Sequence, residues 1–99
     1  MVSRAAAQLR RHVGRDLDGV HIGAEQVPLL PGDWAHEVPM SAHQARRGRR
    51  PGRIVVYRMP VAGRARGRVE TTALVLDLLV EEAAELLGRD PDDLDPRLR

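Results

Sequence analysis

Two glutamates near the C-terminus have a spacing that could serve metal chemistry. Glu81 and Glu85 are four residues apart in a segment without glycine or proline. Side chains four apart lie on one face of a helix, so both carboxylates can reach one ion. A site built only of carboxylates suits hard ions such as Mg²⁺, Ca²⁺ or Mn²⁺ better than zinc.

A simpler interpretation of these acids competes with the metal site and is favoured on the residues alone. Asp77, Glu81 and Glu85 form one acidic stripe at intervals of four, which is typical of a solvated helix face or of one paired with arginines. Asp90 and Asp92 flank Pro91 and are better explained as a helix cap and a first-turn acid than as ligands.

Other residue types offer little for catalysis. No cysteine is present, which excludes thiolate zinc sites and disulfides, and neither serine lies in a nucleophile-elbow sequence. The four histidines fall in the first half, and no two are three or four residues apart. We interpret them as surface residues, with a metal role for His36 and His43 as the less favoured alternative.

The elements that must position these residues follow from the apolar pattern. Residues 68–87 predict one long helix with a wide apolar arc, ended by Gly88, and the apolar run 53–59 predicts a buried strand.

Three smaller elements are also predicted. Alternation of apolar and polar residues in 19–27 predicts a half-buried strand, and residues 3–13 predict a first helix that Ser3 can cap. Asp90 and Pro91 predict a short terminal helix.

The segment between the two strands has no sustained period. Residues 29–52 are rich in arginine, proline and glycine, and we expect an irregular loop within a single domain of residues 1–99. Two strands make a poor sheet, so a third extended piece from 34–40, or a partner chain, is needed to complete it.

The charge is unevenly distributed along the chain. The net charge of +2 divides into −1 over residues 1–37, +9 over 38–69 and −6 over 70–99. All sixteen basic residues are arginines. A basic middle paired with the acidic end is the favoured interpretation, and a nucleic-acid partner for the basic loop 46–53 is possible but not favoured, because Trp34 and Tyr57 are the only aromatic residues.

A family resemblance rests on four strings of the sequence. Residues 80–88 read VEEAAELLG, which has the spacing of the zincin signature HExxHxxG. The strings RIVVYRMP at 53–60, DGV at 18–20 and AELLGRDP at 84–91 are similar to the predicted zincin-like metallopeptidases of actinobacteria, in a branch that lacks the histidines.

The resemblance implies a minimal zincin-like α+β fold over about residues 16–96, with a small sheet packed on the long C-terminal helix. It places Glu81 and Glu85 at the two metal-ligand positions and Glu82 at the catalytic general-base position. The third ligand position falls on Pro91, which cannot bind a metal.

These observations predict a catalytically inactive interaction or regulatory domain of the metallopeptidase family, acting on an unknown protein or peptide partner. A metal-dependent peptidase with altered metal preference, and an arginine-rich nucleic-acid-binding protein, are the alternatives. We expect no cofactor, or otherwise a divalent metal ion. Because no segment resembles a signal peptide or a membrane span, we expect a cytoplasmic protein without a membrane partner.

Overall fold

The structure is a computed structural model that describes residues 2–98, and these residues form four α-helices and one small sheet joined by irregular segments. In chain order the elements are α1 (Val2–Val13), a 3₁₀ turn (Gly14–Leu17), β1 (His21–Glu25), β2 (Ser41–Gln44), β3 (Arg53–Tyr57), α2 (Arg58–Arg64), α3 (Gly67–Leu87) and α4 (Pro91–Leu94). The predicted α+β class, with the sheet packed on the long helix α3, is confirmed.

The sheet has the order β1-β3-β2, with β1 parallel and β2 antiparallel to β3. Ile54 and Val56 of β3 are fully buried on the face that meets the helices. Pairing places His43 opposite Ile54 and Ser41 opposite Val56, so both β2 side chains share that inner face. The register of β2 therefore directs two polar side chains towards the helical layer.

Helix α3 forms the centre of the hydrophobic core. It buries Val75, Leu79 and Ala83 completely, and α1 adds Leu9. Gly88 ends α3 in the left-handed conformation, with φ of 65°, which glycine adopts without steric cost. Within residues 2–98, no helix has the length and apolar character needed to cross a membrane.

Three local features differ from the sequence-based expectation. The segment 29–52 contains β2, and this third strand lies at Ser41–Gln44 rather than within 34–40. Helix α1 begins at Val2, so Ser3 lies inside the helix and does not cap it. No element is expected between the strand 53–59 and the helix 68–87, yet helix α2 forms there, because Pro60 falls in its first turn, where the missing N–H is tolerated.

Candidate functional site

Glu82 joins the long helix to the edge strand β2. It follows the buried Leu79 by three residues on α3, so its side chain lies along the sheet-facing side and is only 15% exposed. Ser41 and His43 approach it from the inner face of β2. The site is thus formed by elements about forty residues apart in sequence.

Both carboxylate oxygens of Glu82 have hydrogen-bond partners. Ser41 Oγ donates to Oε2 at 2.6 Å, and His43 Nδ1 lies 2.6 Å from Oε1. An ionised carboxylate only accepts, so Nδ1 carries the proton in this contact. Two short, charge-assisted bonds in a partly buried position hold Glu82 against the strand.

Glu85 completes a cluster of three possible ligands. Its Oε2 lies 3.8 Å from His43 Nδ1, while its side chain is 72% exposed. One donor atom from each of His43, Glu82 and Glu85 can be chosen so that all three lie within 4.8 Å of one another. One imidazole and two carboxylates from a strand and a helix therefore converge on one point.

Glu81 lies outside this cluster. It is exposed and lines a shallow depression with Glu85, Gly88 and Pro91 at the end of α3. Arg89 lines the same depression, and its guanidinium contacts Asp16 Oδ2 at 2.8 Å. Among the described residues that line this depression, Glu81 and Glu85 are the two that carry side-chain donors of the kind that bind metals, so it offers an ion two protein ligands.

The remaining histidines and acids of interest have other surroundings. His36 packs edge-to-face on Trp34 in the exposed segment before β2, with ring centres 5.3 Å apart. Asp90 Oδ1 accepts from the backbone N of Asp92 at 2.9 Å, which confirms its predicted role as a helix cap. Asp77 pairs with Arg97 at 2.5 Å.

The sequence favours a surface position for all four histidines, with a metal role for His36 and His43 as the alternative, and it does not place His43 beside Glu82. The signal that could have identified it is the pair Ser41 and His43, two apart and therefore on one face of a strand. That signal is readable only if the strand is predicted, and the string SAHQ contains no β-branched or aromatic residue.

The arginines of the basic middle segment do not pair with the acidic helix. Among the ion pairs described for residues 2–98, Arg53 contacts Glu25 at 3.5 Å, and none joins an arginine of residues 38–69 to an acid of residues 70–98. Arg47 and Arg50 form an isolated bridge that closes a tight, exposed turn. The expected pairing of the basic segment 38–69 with the acidic segment 70–98 is therefore limited to the contacts of His43 with Glu82 and Glu85.

On the opposite, outer face of the sheet, Tyr57 of β3 lies beside Glu25 of β1. Burial first, and then the Glu25 carboxylate, raise the pKa of the Tyr57 hydroxyl above its ordinary value of 10.0. The phenol therefore stays protonated at neutral pH.

Comparison with known proteins gives one finding about the family of the chain. A family model described as a zincin-like metallopeptidase matches residues 15–98. None of the curated proteins matches the chain.

Proposed function

The chain belongs to the zincin-like metallopeptidase family, and within that family we propose that it is a catalytically silent member that works as an interaction or regulatory domain. One observation carries this proposal. The residue at the general-base position, Glu82, has both carboxylate oxygens engaged by Ser41 and His43. Its carboxylate serves to connect helix and strand.

The motif positions do not fit the zinc ion that the family implies. Glu81 and Glu85 replace imidazoles, Pro91 offers no side-chain donor, and Arg89, which lines the same depression, cannot bind a metal through its guanidinium. Structural and catalytic zinc sites need at least three protein ligands, usually nitrogen or sulfur. We derive no hydrolytic step from these positions.

A general base must also lie within hydrogen-bond reach of the water that it activates. Glu82 is not among the residues that line the depression beside Glu81 and Glu85. Glu81 lies outside the group formed by His43, Glu82 and Glu85, and the Glu82 carboxylate is tied to β2, so the three motif positions do not form one reaction centre. The geometry therefore supports loss of catalysis within a retained fold.

The interaction role is supported by the exposed basic turn. Arg46, Arg47, Arg49 and Arg50 are exposed, and none of them takes part in the ion pairs described for residues 2–98. Arg46 and Arg49 line a surface groove together with Leu86 and Leu87 of α3. Guanidinium groups beside aliphatic side chains favour a protein or peptide partner that carries carboxylates. A cytoplasmic location and an actinobacterial source remain parts of the proposal.

The test is a peptidase assay on the purified chain after removal of metals. Wild type and Glu82→Gln are incubated with a mixed peptide library and excess Zn²⁺, Mn²⁺, Co²⁺ or Mg²⁺, and cleavage is read by mass spectrometry. We expect no cleavage above the no-protein control from either chain. Metal-dependent cleavage by wild type that is absent from Glu82→Gln contradicts the proposal.

That contradicting result would favour the second candidate, a peptidase with altered metal preference. The observation in its favour is the approach of His43 to Glu82 and Glu85, which supplies the imidazole that α3 lacks. Cleavage supported by one metal and abolished by either His43→Gln or Glu82→Gln is the result that this candidate requires.

A third candidate, nucleic-acid binding, depends on the same basic turn. Contacts to phosphates release counterions, so such binding must weaken steeply between about 50 and 200 mM salt. We expect no binding of labelled single-stranded DNA or RNA at about 150 mM salt, measured as a change in the fluorescence anisotropy of the labelled strand. Salt-sensitive binding that disappears when Arg47 and Arg50 are replaced by glutamine would favour this candidate.

A further inference from the structure

The cluster at the β2–α3 contact has the composition of a metal site that differs from the family's motif. His43 comes from β2, whereas Glu82 and Glu85 come from α3 at a spacing of three residues. The motif positions, by contrast, are spaced by four and include Glu81. Residues three apart lie on the same side of a helix, just as residues four apart do, so either spacing allows two side chains to reach one ion.

We propose that His43, Glu82 and Glu85 bind one divalent transition-metal ion, for which Zn²⁺ is the best-suited probe. The ligands would be His43 Nδ1, Glu82 Oε1 and a carboxylate oxygen of Glu85. This site would stabilise the packing of the edge strand on the helix, and it requires no hydrolytic activity.

The distances between the donor atoms are close to those of a bound ion. Metal–ligand bonds of about 2.0–2.2 Å in tetrahedral geometry place donor atoms about 3.4 Å apart. His43 Nδ1 and Glu85 Oε2 are already 3.8 Å apart. The 2.6 Å contact between His43 and Glu82 must open by about 1 Å, a small change for side chains at a helix–strand contact.

The proton balance of binding is simple. Nδ1 of His43 gives up its proton to solvent, or the ring adopts the tautomer with the proton on Nε2, and the freed lone pair then binds the ion. The two carboxylates bind in their ionised form. Neutral imidazole and two negative charges leave the bound divalent ion electrically compensated.

Ser41 and Glu85 prepare the site in different ways. Ser41 Oγ donates to Glu82 Oε2 at 2.6 Å, which leaves Oε1 directed at His43 and fixes the carboxylate orientation. Hydrogen-bonded partners of this kind typically change metal affinity about 10–100-fold when they are removed. The exposed side chain of Glu85 is free to close on the ion from the solvent side.

The donor set discriminates between ions. An imidazole nitrogen together with carboxylates suits Zn²⁺, Co²⁺ and Ni²⁺, while Mg²⁺ and Ca²⁺ prefer sites made only of oxygen. This differs from the harder ions expected for the glutamates alone, because His43 joins the set. Three protein ligands leave at least one coordination position for water.

The experiment is calorimetric titration of the metal-free full chain with ZnCl₂, and separately with MgCl₂ and CaCl₂. Thermal unfolding with and without each ion gives a second readout. The variants are His43→Gln, Glu82→Gln and Glu85→Gln, and the matched control is Glu81→Gln, which removes the same charge from an adjacent exposed residue. His36→Gln controls for binding to an unrelated histidine.

We expect one Zn²⁺ per chain, a rise in Tm on zinc addition, and at least about tenfold weaker binding for each of the three ligand variants. Glu81→Gln and His36→Gln should bind as wild type does, and Mg²⁺ and Ca²⁺ should bind more weakly than Zn²⁺. Glu85 is exposed, so Glu85→Gln remains informative even if a substitution at His43 or Glu82 impairs folding.

Several results would overturn the proposal. These are the absence of saturable zinc binding, unchanged affinity in Glu85→Gln, or a loss in Glu81→Gln as large as that in Glu85→Gln. The outcome is independent of the peptidase assay: cleavage would contradict catalytic silence and leave this site standing, whereas absent zinc binding would remove the site and leave catalytic silence untouched.

Discussion

Removing the hydroxyl of Ser41 tests whether the Glu82 contact stabilises the fold. Ser41→Ala deletes one oxygen, keeps the strand backbone, and leaves Glu82 Oε2 without the donor that lies 2.6 Å away. No charge changes and no large cavity forms. The variant therefore isolates one charge-assisted hydrogen bond between β2 and α3.

The expected cost follows from the strength of the bond and its exposure to solvent. Hydrogen bonds to charged groups contribute about 1.5–3 kcal/mol to stability. The Glu82 side chain is 15% exposed, so water can partly replace the hydroxyl and the cost lies at the lower end of that range or slightly below it. We expect a loss of about 1–2 kcal/mol in the free energy of unfolding, or about 5–10 °C in Tm for a domain of this size.

The assay is urea unfolding followed by far-UV circular dichroism, performed as a double-mutant cycle with Glu82→Ala in metal-free buffer. We expect a coupling energy of about 1 kcal/mol between the two positions. Ser3→Ala is the matched control, because Ser3 is exposed inside α1 and alanine is the better helix former there. This control should lose no stability.

Two results would refute the reasoning. The first is a Ser41→Ala variant within about 0.3 kcal/mol of wild type. The second is that Ser41→Ala lowers the free energy of unfolding by the same amount whether residue 82 is the native Glu or Ala. Either would mean that the two side chains do not form a bond that contributes to folding.

Three further predictions concern the framework around the site. Leu94→Ala should lower the free energy of unfolding by about 2–4 kcal/mol, because Leu94 is fully buried, whereas Leu29→Ala at an exposed position should have little effect in the same urea titration. Gly88→Ala should cost about 1 kcal/mol in that titration, since its positive φ strains any side chain although nothing lies near its Cβ. The side-chain hydrogen bond from Arg97 is the main cause that lowers the pKa of Asp95. This pair therefore stabilises the fold fully above the unfolded-state pKa, and its contribution is lost as the pH falls through the folded-state pKa. The difference in the free energy of unfolding between wild type and Asp95→Asn should be full at pH 7 and should close as the pH falls below about 4.

The parts of the fold that local sequence specifies were predictable. Helix α3 has the apolar spacing of a buried helix over most of its length, and β3 is a run of β-branched residues. Asp90 and Pro91 carry the local chemistry of a helix start, and the structure forms a helix there. In each case the residues that determine the element lie within it.

The candidate site was not predictable in the same way, because its geometry depends on a long-range pairing. Strand β2 has weak intrinsic preference and forms by pairing with β3. Its register alone decides that His43, rather than Ala42 or Gln44, faces α3. The sequence shows the glutamates of α3 but not which of them meets the strand, and only the packing distinguishes Glu82 from Glu81.

A crystal structure after soaking with Zn²⁺, with anomalous data at the zinc edge, tests the central claim most directly. The account predicts that Glu82 faces β2, with Ser41 Oγ donating a hydrogen bond to its Oε2. It also predicts that the anomalous peak lies between His43 Nδ1, Glu82 and Glu85. A peak held by Glu81 and Glu85 in the depression at the end of α3, with Glu82 turned away from the strand, would contradict it.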